Sequence, residues 1–214
     1  MTNLTGAAEP AKRPAPLALV LDWGERALLV GLYILLIRRL LPSLASSPVN
    51  ALLIVSETIV VGFVVCRRQT SSVTRNPADW LLALGGTLPP LFFRAGGPHL
   101  MPQALAGIVM SAGILTQVSA KLFLRRSFGI VAANRGVKMG GPYLLVRHPM
   151  YLGYAITWVG FLSINGLWVN LALASFALVM QVFRILIEER LLRADPAYGA
   201  YMTRVRYRII PGLF

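Results

Sequence analysis

The sequence predicts an all-α fold, a polytopic bundle of about six transmembrane helices. Three observations predict it. Of 214 residues, 56% are hydrophobic, and the mean hydropathy is +0.65. Only 14% are charged, against about 25% in soluble domains. Apolar runs close to the roughly 20 residues that cross a bilayer core recur along the whole chain. Such runs leave no room for a sizeable soluble domain, so a single integral-membrane domain is expected over residues 23–214.

The elements follow in order. Residues 1–22 read as a disordered tail, because MTNLTGAAEPAKRPAP is rich in Pro and Ala and has no periodicity. No cleavable signal peptide is evident: Lys12 and Arg13 precede only a short apolar stretch before Asp22, Glu25 and Arg26. Spans are expected at about 24–44, 49–66, 78–94, 101–124, 149–165 and 167–189. The third is the weakest. Gly85-Gly86 and Pro89-Pro90 interrupt it, and a re-entrant path there leaves five crossings. Asn165-Gly166 makes a tight turn, so the last two spans form a helical hairpin. Gly153 and Gly160 share a face of the fifth span and are expected to pack on Ala172, Ser175 and Ala177 of the sixth.

The net charge is +13. In a soluble protein that suggests nucleic acid. Here the basic residues sit in short segments between apolar runs, which is the pattern of membrane orientation and anionic headgroups. Arg38, Arg39 and Arg94 fall on one side. Most other cations, Lys121 among them, fall on the other. Both termini are therefore expected in the cytoplasm. Cys66 is the one cysteine, which excludes an internal disulfide and a cysteine-based zinc cluster, and it reads as a small apolar filler. The two histidines, His99 and His148, lie on opposite sides in this topology, so no metal site is expected.

Two inner segments are too long to be turns. One is RRSFGIVAANRGVKMGGPYLLVRH, residues 125–148, and the other is the tail, residues 190–214. They flank the two ends of the final hairpin, as a site at the membrane surface requires. Within GPYLLVRHPMYLGY, Pro149 suits the first turn of a helix and His148 falls at its cap. Unpaired backbone N–H groups at such a start, with Arg147 beside them, favour a carboxylate or phosphate. A snorkelling Arg and a capping His are the plainer use of the same residues. Glu188 and Glu189 end the sixth span, where acids oppose the helix dipole. They serve either i,i+4 pairing, as Glu189 with Arg193, or a ligand's ammonium, sulfonium or ribose hydroxyls. Glu57, in mid-span, is costly in lipid. It needs an Arg or Gln117 as partner, or it senses a polar end of the substrate.

The segments SFGIVAANRGVKMGGPYLLVRHPMYLGY, EERLL and YGAYMTRVRYRIIPGLF together resemble the isoprenylcysteine carboxyl methyltransferase family of integral-membrane enzymes. The similarity spans roughly residues 120–214, and the first four spans carry no matching motif. The resemblance implies S-adenosylmethionine as methyl donor, bound by the last spans and cytoplasmic segments that form the catalytic part. It implies a pocket lined by Gly141, Pro142, Tyr143, His148, Pro149, Tyr151 and Gly153 and closed by Glu188 and Glu189. Arg147 and the two glutamates are the expected catalytic residues. The acceptor is expected to be a lipid or a prenylated or other lipophilic molecule. Arg125, Arg126, Arg204 and Arg206 are candidates to hold its anionic head, as is Glu57 for its polar end.

Three rivals differ in chemistry. A phospholipid N-methyltransferase shares the same glutamate logic. An NADPH-dependent sterol- or enone-type membrane reductase carries a similar Arg-His signature near its last spans, but the Glu pair and the Pro after His148 favour methyl transfer. A small transporter or scaffold explains the hydrophobicity but not the two motif blocks.

Overall fold

A computed structural model describes residues 16–45, 49–66, 76–124 and 138–214. All regular structure among these residues is helical. The elements are α1 (Pro16–Leu40), α2 (Val49–Val65), α3 (Pro77–Thr87), α4 (Gln103–Leu124), α5 (Pro149–Ile164), α6 (Trp168–Leu192) and α7 (Pro196–Arg204). Short 3-10 turns occupy Leu41–Ser43, Pro89–Phe92 and Gly141–Leu144.

Two of the six expected spans, α4 and α6, are long and apolar enough to cross a membrane by length and composition. Their outer faces carry exposed Ile108, Leu115, Phe176 and Phe183, which suits contact with lipid tails. At about 1.5 Å per residue, α3 reaches about 16 Å and α5 about 24 Å, short of a core of about 30 Å. The third stretch is thus a short helix followed by the Pro89–Phe92 turn. Helix α1 has 25 residues but carries Asp22, Glu25, Arg26, Arg38 and Arg39.

Helix α1 starts at Pro16, so residues 16–22 are helical and not part of a disordered tail. The reason is a salt bridge one turn long. Arg26 Nε lies 2.9 Å from Asp22 Oδ2, and both side chains are buried. Arg26 Nη1 also donates to Val65 O at 2.6 Å, which ties α1 to the end of α2. Cys66 follows directly and is exposed, so it fills no core space.

Proline starts four of the helices, α1, α3, α5 and α7. Asn76 and Asp195 accept from the N–H two residues on, at 3.1 and 3.0 Å, and cap α3 and α7. His148 takes the same place before Pro149 of α5, but its side chain makes no capping bond.

The closest helix crossing is α4 on α5. A Cβ on Gly113 would lie 2.5 Å from Thr157 N, and one on Gly153 would lie 2.7 Å from Gly113 O. A Cβ on Gly160 would lie 2.9 Å from Ala106 O. Gly153 and Gly160 therefore face α4. They do not face α6, where Ala172 and Ser175 are exposed. Helix α6 packs chiefly on α3, and Gly86 gives room to Gln181 there. The hairpin turn is held from outside: Asn170 accepts from Arg94 N at 2.9 Å and donates to Arg94 O at 2.8 Å.

Glu57 meets neither an Arg nor Gln117. Its Oε1 receives Lys121 Nζ at 2.7 Å, and Ser56 Oγ accepts from the same ammonium at 2.8 Å. Lys121 is 0% exposed, so it is no interfacial cation. Gln117 donates instead to Thr157 Oγ1 at 2.9 Å, across the α4–α5 crossing.

Two outcomes follow from this packing. Gly113→Ala or Gly153→Ala must spread α4 from α5, at a cost of about 1–3 kcal/mol. Gly107→Ala, on the same helix with nothing within 4 Å of its Cβ, is near neutral. Thermal melts in detergent compare them. Glu57→Leu strands the Lys121 ammonium and costs on the order of 3 kcal/mol, and adding Lys121→Met restores most of it. Denaturant titration of the single and double variants reads that coupling.

Candidate active site

The start of α5, the end of α6 and the tail after α7 meet at one point. Two guanidinium groups and one imidazole, from two of these segments, surround the Glu189 carboxylate, which is 1% exposed. Arg147 Nε lies 2.9 Å from Oε1, and His148 Nε2 lies 3.3 Å from the same oxygen. Arg208 Nε donates to Oε2 at 3.1 Å. The Arg147 contact is an ion contact only, because its angle does not make a hydrogen bond. Arg193, the i,i+4 partner, is 3.7 Å away and its side chain is 56% exposed, so it adds little.

Glu188 points to a different set. Tyr151 Oη donates to its Oε1 at 2.7 Å and Arg184 Nε does so at 3.2 Å. The Arg184 guanidinium also lies over the Tyr151 ring, 5.4 Å from its centroid. His148 Nδ1 is 3.8 Å from Glu188 Oε2, so the imidazole sits between the two carboxylates.

Two backbone donors beside the helix start are taken. Arg147 N donates to Tyr207 O at 2.9 Å and His148 N to Arg208 O at 2.8 Å. Pro149 has no N–H. The tail therefore fills the Arg147 and His148 N–H groups that were expected to face an anion.

The aromatic residues close the site. Tyr143 is buried, and Tyr201 Oη donates to its carbonyl at 2.6 Å. Burial, then the nearby Glu188 charge, pushes the Tyr143 phenol well above its usual range. Burial pushes Tyr201 up to about 12. Burial, then the Glu189 charge, raises Tyr198 as well. These phenols stay neutral at physiological pH. The Tyr198 hydroxyl is buried and has no hydrogen-bond partner among the described residues.

Each expected residue has a place. Arg147, His148, Pro149, Tyr151, Glu188 and Glu189 converge, with Tyr143 and Pro142 beside them on the Gly141–Leu144 turn. Gly141 has φ +59°, and a Cβ there would lie 2.4 Å from Phe123 of α4. Packing alone thus demands a glycine at 141, as it does at Gly153. Arg204 and Arg206 are exposed, and Arg208 is the tail cation that meets the Glu pair. Arg125 and Arg126 lie outside the described residues. Sequence reasoning missed Arg184, Tyr198 and Arg208. Arg184 carries a signal, since it lies one turn before Glu188 on the same helix face.

A cavity of about 190 Å³ adjoins the cluster. It lies among α1 to α6, with Leu29, Leu53, Met150 and Trp158 on its apolar walls. Tyr33, Glu57, Gln117, Tyr154, Gln181 and Arg184 are among its polar members. Arg184 and Met150 also belong to the helix ends that carry the cluster, so the two regions share a wall.

Residues 101–199 match the phospholipid methyltransferase family model. The matched stretch runs from just before α4 into α7 and holds the α5 start, the Glu pair and Tyr198. Over that stretch the chain is similar to phospholipid methyltransferases. The resemblance seen in the motifs is thereby supported, with the boundary moved: α4 is inside the match, and the tail with Arg208 is outside it. A search of curated proteins returns no match.

Removing the Glu189 charge tests the cluster. Glu189→Gln leaves Arg147 buried without a counter-charge and costs about 3–5 kcal/mol. Arg193→Ala changes stability by less than about 1 kcal/mol. Chemical denaturation of both variants in detergent gives the comparison.

Proposed function

We propose that the chain transfers a methyl group from S-adenosylmethionine to a lipophilic acceptor at the membrane surface. The observation that carries this reading is the convergence of Arg147, His148, Glu188 and Glu189 with Tyr143, Tyr151 and Tyr198, inside the stretch that matches phospholipid methyltransferases.

The residues present fit the donor. Its carboxylate suits the guanidinium groups of Arg147 and Arg208. Its ammonium suits Glu188 or Glu189. The face of Tyr151 suits a cation, as Arg184 over that ring illustrates. The buried Tyr198 hydroxyl offers a hydrogen bond to a ribose or adenine atom. When bound, the donor supplies an electrophilic methyl on a sulfonium.

The protein's part is alignment and exclusion of water. Glu189 fixes Arg147, His148 and Arg208 relative to one another. Tyr151 and Arg184 fix Glu188. A carboxylate or thiolate acceptor needs no base. An amine must first lose a proton, and Glu188, whose side chain is 22% exposed, is the group placed to take it. The acceptor's apolar part occupies the cavity beside Arg184 and Met150.

Carboxyl methylation of an isoprenylcysteine-like molecule is the first reading of the acceptor. Phospholipid N-methylation is the second, and the family match favours it. Both place the site on the cytoplasmic face of a multi-pass protein.

Purified protein in nanodiscs, given tritiated donor, should label a lipid extract or a panel of prenylcysteine, amine and thiol acceptors. His148→Ala and Glu188→Gln should each lower labelling at least 100-fold while circular dichroism stays unchanged, consistent with loss of a group acting on the reacting centre. Full labelling by both variants, or no label in any acceptor, rejects the reading.

A further inference from the structure

The cavity holds one unexplained atom. Gln181 is 3% exposed, and its Oε1 has no hydrogen-bond partner among the described residues. Its Nε2 donates to Gly86 O at 3.5 Å, which fixes which end of the amide is left over. Gly86 is what admits the side chain, since a Cβ there would lie 3.3 Å from Gln181 Cγ. A buried acceptor without a donor is costly, and native proteins keep few of them.

The charged groups around the cavity are paired. Glu57 holds Lys121 at 2.7 Å, and Arg184 holds Glu188 at 3.2 Å. Gln117 donates to Thr157. Among these groups Gln181 Oε1 is the buried acceptor left without a donor among the described residues. An ammonium calls for a carboxylate not already engaged. A phosphate calls for a cation, and it is repelled by Oε1 and by Glu57. Size points the same way. An engineered enclosed cavity of about 150 Å³ holds one benzene; this space of about 190 Å³ is partly open, so it takes one small ring or the end of one chain.

We infer that Gln181 selects the acceptor: its Oε1 accepts from a neutral hydroxyl or amide N–H carried on the apolar body that enters this cavity. The acceptor class is thereby a single-chain or single-ring apolar molecule with one neutral donor, which sets this inference against the phospholipid reading. The inference rests on the methyltransferase reading of the adjoining site.

Trp158 lines the cavity and reports on it. With Trp23, Trp80 and Trp168 replaced by Phe, its fluorescence is quenched by bromine in contact. The probes are 6-bromohexan-1-ol and 1-bromohexane, titrated into the full chain in detergent. Saturable quenching by both is expected. Gln181→Leu should weaken the alcohol roughly fivefold, a typical hydrogen-bond effect, and leave 1-bromohexane within about twofold. Gln181→Met, unbranched and of similar length, should do the same and guards against a misfolded Leu variant. Equal weakening of both probes, or of neither, overturns the inference. Saturable quenching by a phosphatidylethanolamine brominated on its acyl chains overturns the acceptor class.

A thermal shift with S-adenosylhomocysteine separates the two levels. A shift together with unchanged alcohol binding in both variants rejects Gln181 and spares the methyltransferase. No shift, with alcohol binding weakened about fivefold as expected, rejects the methyltransferase and keeps the Gln181 contact.

Discussion

A carboxylate removed from water must be surrounded by positive charge, and Glu189 imposes that condition on three parts of the chain. Its partners come from the start of α5 and from the tail, while Glu189 itself ends α6. If any of these segments shifts, a charge is left buried and unpaired at a cost of several kcal/mol. The cluster thus sets the register of α5, α6 and the tail together. The backbone bonds from Arg147 and His148 to Tyr207 and Arg208 are available only in that register. Tyr201, on α7 between Glu189 and the tail, then reaches the Tyr143 carbonyl.

A second constraint works from the opposite side of α5. Glycines at 113, 153 and 160 let α4 and α5 approach until backbone meets backbone. Close approach brings polar groups of α4 within reach of α5. Gln117 binds Thr157, and Lys121 lies 5.5 Å from the Tyr154 ring centroid. Lys121 also holds Glu57 of α2. Polar contacts therefore run from α2 through α4 and α5 to Arg184 and the Glu pair. In lipid such contacts hold helices together that hydrophobicity alone does not. They also surround the cavity, so the same residues that bind the helices shape the space for an acceptor.

The legible parts of this molecule were local ones. The helix start at Pro149 and the adjacency of Glu188 and Glu189 are each written within a few residues. What needed the structure was pairing at a distance. Glu57 shows this well: its mid-span position demanded a partner, but the choice of Lys121 depends on which faces of α2 and α4 meet. Lys121 lies one turn from the end of an apolar run and has the look of an interfacial cation, and only its burial says otherwise. Gly153 and Gly160 revealed a close contact but not the neighbour, because a stripe of small residues is the same whichever helix lies against it. The helix start looked open to an anion because nothing local predicts that residues 60 positions away supply the acceptors for its N–H groups.

The pairing of every charge at the site bears on what it can receive. A lone anion brought to Arg147 must compete with Glu189 and leaves that carboxylate short of a cation. A lone cation brought to Glu189 displaces an arginine and leaves it short of an anion. A ligand with a carboxylate and an ammonium on one carbon avoids both penalties. Its ammonium replaces a guanidinium at a glutamate, and its carboxylate takes the guanidinium so released. The count of paired charges is the same before and after, so desolvation is not met twice. An amino-acid end of this kind is what S-adenosylmethionine presents, and its third charge, the sulfonium, needs no counter-ion if an aromatic face such as Tyr151 receives it. A site whose charges are already balanced is thus better suited to a zwitterion than one with an empty cationic pocket, and this argument supports the proposed donor independently of the motif that first suggested it.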